Sequence, residues 1–391
     1  MKLSDFDYAF PEELIATHPL PERDASRMMV VNRGEQSIKH SRINDFPLFI
    51  RKGDCIVVND THVFPARLVG KKESGGRIEI LLLGGKYSVI PAQAGISLSQ
   101  LAARDSPATT ARRARRYDRC VWKCITNQTK ASKAGQKIIF GDELIGTIIS
   151  RESDELLVEF NKPELIEKAG LPPLPPYILK KRGKMGRGGD GEMGRWPDRD
   201  RYQTIYAKHA GSAAAPTAGL HFTDKLLQKI KKAGAKIATV TLHVGLDTFS
   251  PVRSENIEDH KMHGEEYFIP EETVKTIEEC RQNNGRVIAV GTTTVRALES
   301  FALNQFYEGD CHAEALKGLS ARLAMTTNLF IAPGYKFRIA DAILTNFHQP
   351  KSTLLMMVSA FAGRKFILDA YNEAISQKYR LFSYGDCMLM Y

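Results

Sequence analysis

The sequence predicts an α/β protein with a second, all-β region, and three observations predict it. After Tyr202, apolar strands, small polar loops and helices alternate, the pattern of a mainly parallel sheet with helices on its faces. Between Ala66 and about Glu159, half a dozen short β-rich runs follow one another closely, as in a small barrel or sandwich. The 391 residues are 43% hydrophobic and 26% charged, ordinary for a globular chain and enough for one large domain or two. No run of about 18 uncharged apolar residues exists, so no membrane span is expected. The opening Met1-Lys2-Leu3-Ser4-Asp5-Phe6-Asp7 carries two acids and no apolar stretch, unlike a signal peptide. The expected compartment is the cytoplasm.

In order along the chain, residues 53–58 read as a buried strand entering the polar turn Asn59-Asp60-Thr61. The short-strand block comprises the runs 67–70, 77–83, 121–126, 137–140, 143–150 and 155–160. Thr223 caps a helix over 224–233 with Leu226, Leu227 and Ile230 on one face, and Gly234 ends it. A strand is expected over 236–243, a helix over 271–283, a strand over 286–290 and a helix over 295–303. A last strand over 341–346 precedes a helix over 353–362. Ligands of such sheets bind beyond the carboxyl ends of the strands. That directs attention to the loops Asn59-Asp60-Thr61, Leu242-His243-Val244-Gly245, Gly291-Thr292-Thr293-Thr294 and Asn346-Phe347-His348, and to Pro216–Phe222 before a helix. The free N–H groups and dipole of a helix opening at Gly291-Thr292-Thr293 favour an anion such as a carboxylate or phosphate, and Arg296 lies one turn in.

The net charge is +10. Most of it sits in two segments: 86–119, with seven basic residues against two acids, and 180–201, with eight against four. Both read as loops, the second rich in glycine between Gly183 and Gly194. They suit RNA-binding arms or passive, solubilising insertions. The six cysteines follow no framework, which fits a reducing compartment, and only Cys120 and Cys124 are close. No metal is expected. P-loop, G-x-S-x-G and dinucleotide fingerprints are all missing. Two competing readings remain: an RNA-binding module without catalysis, and a metal-dependent hydrolase using His243, His260 and His263.

Several stretches resemble one family, the S-adenosylmethionine:tRNA ribosyltransferase-isomerases of queuosine biosynthesis. They are Leu3-Ser4-Asp5-Phe6-Asp7-Tyr8, Arg23-Asp24-Ala25-Ser26-Arg27, Pro65-Ala66-Arg67-Leu68, Asp200-Arg201-Tyr202-Gln203-Thr204, Ala214–Phe222, Thr241–Leu246, Val290-Gly291-Thr292-Thr293, Thr345-Asn346-Phe347-His348, Ser359–Gly363 and Phe382-Ser383-Tyr384-Gly385-Asp386. The similarity runs in order along almost the whole chain. Segments 86–119 and 183–197 look like insertions, and Gln349, Thr294 and Asp247 depart from the usual residues.

The resemblance implies a large α/β domain, 1–66 with 160–391, and a small β-barrel inserted at 67–159. It implies transfer of the ribosyl part of S-adenosylmethionine to 7-aminomethyl-7-deazaguanine at the tRNA wobble position, giving epoxyqueuosine, adenine and methionine. The partners are then tRNA and S-adenosylmethionine. The latter is consumed as a substrate, so no resident cofactor is expected, and neither is a membrane; a monomer is expected. His243 and His221 are the leading acid–base candidates, followed by Asp60 and His348. Substrate contacts are expected from Asn59, Thr61, Thr217, Gly219, Phe222, Gly245, Gly291, Thr292, Thr293, Asn346 and Tyr384. Arg67, Arg201, Arg253 and Arg296 are expected at tRNA phosphates.

Overall fold

The computed structural model describes residues 1–83, 121–126, 128, 131–152, 155–185, 198–245, 252, 254–306 and 325–391. The chain divides into two compact units, Met1–Val63 with Leu174–Tyr391, and Phe64–Pro173. The larger unit opens with strands Arg27–Asn32 (β1), Ser37–Arg42 (β2), Cys55–Asn59 (β3) and Thr61–Val63 (β4). The smaller contributes Arg67–Lys72 (β5), Arg77–Leu82 (β6), Val121–Ile125 (β7), Lys137–Phe140 (β8), Leu144–Glu152 (β9) and Glu155–Phe160 (β10). The larger resumes with His209–Ser212 (β11), Lys236–Leu242 (β12), Glu265–Phe268 (β13), Val287–Val290 (β14), Met325–Thr327 (β15), Ala342–Asn346 (β16) and Cys387–Met390 (β17).

In the larger unit nine strands form one sheet in the order β15-β13-β12-β3-β14-β16-β17-β1-β2. The expected mainly parallel sheet is corrected here to a mixed one. Pairs β12–β3, β3–β14, β14–β16 and β17–β1 are parallel, and pairs β15–β13, β13–β12, β16–β17 and β1–β2 are antiparallel. The antiparallel additions come from a tight return between β1 and β2, from the terminal strand β17, which follows two helices but runs back against β16, and from the β13–β15 edge. What survives of the expectation is a parallel block, β12-β3-β14-β16. Its side chains alternate between the two faces: Val57, Val240, Ala289 and Ile343 join one core, and Ile56, Val58, Ile288 and Leu344 the other. Helices Glu271–Gln282, Thr292–Phe306, Thr353–Ala362 and Arg364–Ser376 cover the first face, and Asp224–Lys232 covers the second with the turn Ile43–Phe49. Alternating apolar residues buried on both sides is what makes these strands read as continuous apolar runs.

The smaller unit is a closed six-stranded barrel, β10-β7-β6-β5-β8-β9. Its strands bury every second residue, as in Leu156, Val158 and Phe160 of β10. The unit reaches beyond the expected 67–159, because Phe64 and Ile166 pack on the barrel core and the backbone of Leu171 pairs with that of Arg67. Cys124 lies inside it with its thiol pushed up by burial, whereas Cys120 is outside the described residues. The basic segment 86–119 is also outside them. Of the expected loop 183–197, Gly183 to Met185 continue the helix Pro176–Met185, and the rest lies outside the described residues. Among the described residues no helix is long and apolar enough to cross a membrane.

Candidate active site

The parallel block aligns its strand ends. Val240 stands opposite Asn59, Val290 opposite both Val58 and Leu344, so the loops after β3, β12, β14 and β16 leave one rim. A cavity of about 430 Å³ opens there, within the larger unit. Its polar lining includes Thr217, Thr292, Thr293, Asn346, His348 and Ser383, and its aromatic lining Tyr177, Phe347 and Phe382. Gly291 has φ +91°, which lets β14 turn straight into the helix Thr292–Phe306, one turn earlier than the sequence pattern places it. The first backbone N–H groups of that helix therefore sit at the cavity wall.

Behind the wall, Asn59 acts as a junction. Its amide nitrogen donates to the carbonyl of Leu242 (3.0 Å) and to the Thr293 hydroxyl (3.1 Å). Its amide oxygen accepts from the backbone N–H groups of Thr61 and Leu242, both at 3.1 Å. One side chain thus extends the β3–β12 ladder past its end and ties it to the helix start. Thr61 passes the linkage on: its hydroxyl meets His243 Nδ1 at 2.8 Å. The His243 ring packs on Gly211, where a Cβ would come within 2.9 Å of it. The neighbouring Asp60 accepts from the Thr241 hydroxyl (2.6 Å).

The three histidines differ sharply. His348 lines the cavity with Nε2 3.0 Å from the Thr345 hydroxyl, and burial pushes its pKa down to about 3. His221 lies between the Ser26 hydroxyl (3.0 Å) and the Asn346 amide (3.2 Å), with a pKa pushed down to about 4 by burial and by Arg380. Both rings are neutral at physiological pH. His243 is half-buried, next to the cavity-lining Val244.

Comparison with known proteins decides the family. The family model described as queuosine biosynthesis protein matches residues 3–390. The chain belongs to this family. It is 42% identical over 396 residues to an S-adenosylmethionine:tRNA ribosyltransferase-isomerase of Geotalea uraniireducens, covering 100% of both chains. It is 44% identical over 397 residues to one of Pelotomaculum thermopropionicum, again covering 100% of both. A crystal structure of an S-adenosylmethionine tRNA ribosyltransferase from Thermotoga maritima is 31% identical, covers 99% of this chain and 100% of its own, and superposes with a TM-score of 0.49.

In this member of the queuosine biosynthesis family, Thr217, Gly291, Thr292, Thr293, Asn346 and His348 come together at the cavity. Several other expected site residues do not line it, and His243, Asp60 and Thr61 stand behind its wall rather than on it. Asn59 is fully buried and spends its hydrogen bonds inside the protein. Phe222 is a core residue packed edge-on against Phe46, so it offers no face to a ligand. Gly219 makes room for Thr204 and Tyr206, Gly245 donates to Glu265 (2.9 Å), and Tyr384 donates to the buried Asp198 (2.8 Å). His221 and Tyr384 instead border a second, much smaller cavity with Arg23, Ser26 and Arg201.

The expected phosphate contacts are corrected too. Arg296 is 4% exposed and paired with Glu265, and Arg67 is 6% exposed and paired with Glu79 through both Nε (2.7 Å) and Nη2 (2.8 Å). Neither reaches a polyanion without breaking its ion pair, which for Arg296 is buried on both sides. Arg201 donates to the carbonyls of Leu20 and Pro21, and Arg253 is outside the described residues. Among the described residues no three His, Cys, Asp or Glu side chains converge as metal ligands. The sequence reading missed Tyr177, Phe382 and Ser383 as cavity residues. Ser383 and Phe382 were visible as part of a matched motif; Tyr177 follows a proline-rich stretch with no signal of its own.

Proposed function

We propose that the protein transfers and isomerises the ribosyl moiety of S-adenosylmethionine onto 7-aminomethyl-7-deazaguanine at the wobble position of tRNA, releasing adenine and methionine. The observation that carries this reading is full-length membership of the queuosine biosynthesis family, together with a nucleoside-sized cavity at the rim of the parallel block. The sulfonium acidifies the neighbouring C5′ hydrogen, a base removes it, and adenine leaves as the ribose rearranges. A useful base has a pKa near the working pH. Burial takes His348 and His221 well below that, so His243 carries the base role in this reading, and His348 is a neutral hydrogen-bonding wall. The helix start at Gly291-Thr292-Thr293 suits the methionine carboxylate. Tyr177 and Phe382, at 5.3 Å from one another and edge to face, supply aromatic faces for the sulfonium or the adenine. Arg201 and Arg253 remain the candidates for tRNA phosphates. S-adenosylmethionine is consumed, so the reading needs no resident cofactor, and its tRNA substrate suits a protein acting in the cytoplasm.

The test is direct. Purified protein incubated with S-adenosylmethionine and tRNA carrying the aminomethyl base is expected to release adenine in proportion to modified tRNA. Adenine release without tRNA modification, or none at all, overturns the assignment.

A further inference from the structure

The environment of Asn346 determines which of its two ends a ligand meets. Its side chain lies at the C-terminal end of β16 and lines the large cavity. Asn346 Nδ2 faces two groups, His221 Nε2 at 3.2 Å and the carbonyl oxygen of Asp386 at 3.4 Å. A carbonyl can only accept, so the amide nitrogen must be the end turned towards it. His221 Nε2 must then accept as well, which leaves the imidazole proton on Nδ1, donated to the Ser26 hydroxyl at 3.0 Å. The other end, Oδ1, accepts from the Thr217 hydroxyl at 2.8 Å. Thr217 lines the cavity, whereas His221 and Asp386 do not. Both amide protons are therefore spent away from the cavity, and the carbonyl end, with a second lone pair, is on the cavity side.

We propose that His221 is a positioning residue that holds Asn346 in one amide orientation, so that Asn346 presents a hydrogen-bond acceptor to the bound nucleoside and selects a ligand carrying an N–H donor there. The inference rests on the S-adenosylmethionine reading above, in which that donor is either the exocyclic amine of adenine or the ammonium of the methionine tail. It takes His221 out of proton transfer: both ring nitrogens are engaged within the protein, and the ring has no place on the cavity wall. A site built to pair a polar group discriminates strongly against an analogue lacking it, because its own group is left buried and unpaired.

Calorimetric binding to the wild-type protein tests the acceptor without requiring turnover. Two analogues of S-adenosylmethionine are compared with the parent, one with a hypoxanthine base in place of adenine and one without the α-amino group. The expected result is a loss of affinity of about 100-fold for one of them, which names the donor, with that discrimination collapsing in Asn346→Ala. Two analogues that bind like the parent overturn the acceptor role. If S-adenosylmethionine itself does not bind, the functional reading fails with it, a distinct outcome.

The His221 role is read from kinetics. His221→Leu is expected to raise the KM for S-adenosylmethionine about 10-fold while leaving the pH dependence of adenine release at saturation unchanged. His221→Gln, which can still accept from Asn346, is expected to restore most of the loss. In an Asn346→Ala background His221→Leu should add little. Equal loss of saturated turnover in the Leu and Gln variants, or a displaced acid limb in the pH profile, makes His221 a proton-transfer group and overturns the proposal. If His221→Leu does not fold, His221→Gln decides: a lost saturated rate or a displaced acid limb overturns the positioning role, and a near-parent KM with an unchanged pH profile supports it.

Discussion

At the scale of single residues, the site separates groups that could touch a substrate from groups that hold others in place. Asn59 looks like a ligand residue in a polar strand-end loop, yet its four hydrogen bonds join Leu242, Thr61 and Thr293. His348 and His243 carry the complementary lesson. Both belong to histidine-bearing loops, but His348 stands on the cavity wall, and burial depresses its pKa to about 3, far from a useful base. His243→Ala is therefore expected to slow single-turnover adenine release by about 100-fold or more with S-adenosylmethionine binding intact. His348→Gln should mainly weaken binding. A near-normal rate in His243→Ala removes it as the base.

At the scale of elements, the helix Thr292–Phe306 matters most, because its first residues form part of the cavity wall. It is anchored from its middle by Glu299, fully buried, whose carboxylate accepts from the backbone N–H groups of Arg338 (2.8 Å), Ile339 and Ala340 (both 3.0 Å), and from the Tyr335 hydroxyl (3.1 Å). An ionised oxygen pair suits four donors; an amide does not. Glu299→Gln sets an NH2 group against backbone N–H donors and is expected to cost about 2–4 kcal/mol in urea denaturation. A cost below about 0.5 kcal/mol would show that the loop 335–340 relaxes freely. The same element explains a shift between expectation and structure. Periodicity places the helix start at Val295, but the turn at Gly291 lets the helix begin at Thr292, so the three threonines form its first turn.

At the scale of the whole molecule, two neutral buried histidines couple stability to pH. Their ordinary pKa of 6.5 is lowered to about 4 in His221 and about 3 in His348. A lowered histidine pKa means that the unfolded chain binds more protons below pH 6.5. The stabilisation is then fully present above pH 6.5 and is lost as pH falls towards 4 and 3. Between pH 7 and pH 5 the unfolding free energy should drop by about 2 kcal/mol for each histidine, and His348→Gln should roughly halve the slope. A stability that stays level from pH 7 to pH 5 would mean that neither ring is buried as a neutral group in solution.

The sequence alone determined the local pattern. The alternation of strands, polar loops and helices after Tyr202, the short-strand block, the Thr223 cap and the family motifs were all legible, because each depends on neighbouring residues or on order along the chain. It also marked the rim, since Thr217, Gly291, Thr292, Thr293, Asn346 and His348 all reach one cavity. Only the tertiary structure decided the rest. Which strand β1, β13, β15 and β17 each pair with, and in which direction, depends on what distant segments are brought beside them. Whether Arg67 and Arg296 face a phosphate or a carboxylate of the protein depends on what is brought against them, as Glu265 is brought against Arg296. Burial and partner set the charge and orientation of a polar group, and both are properties of the folded surroundings. That is why His221 and His348 read alike in the sequence, as histidines in motif loops, and hold different positions in the molecule, one behind Asn346 and one on the cavity wall.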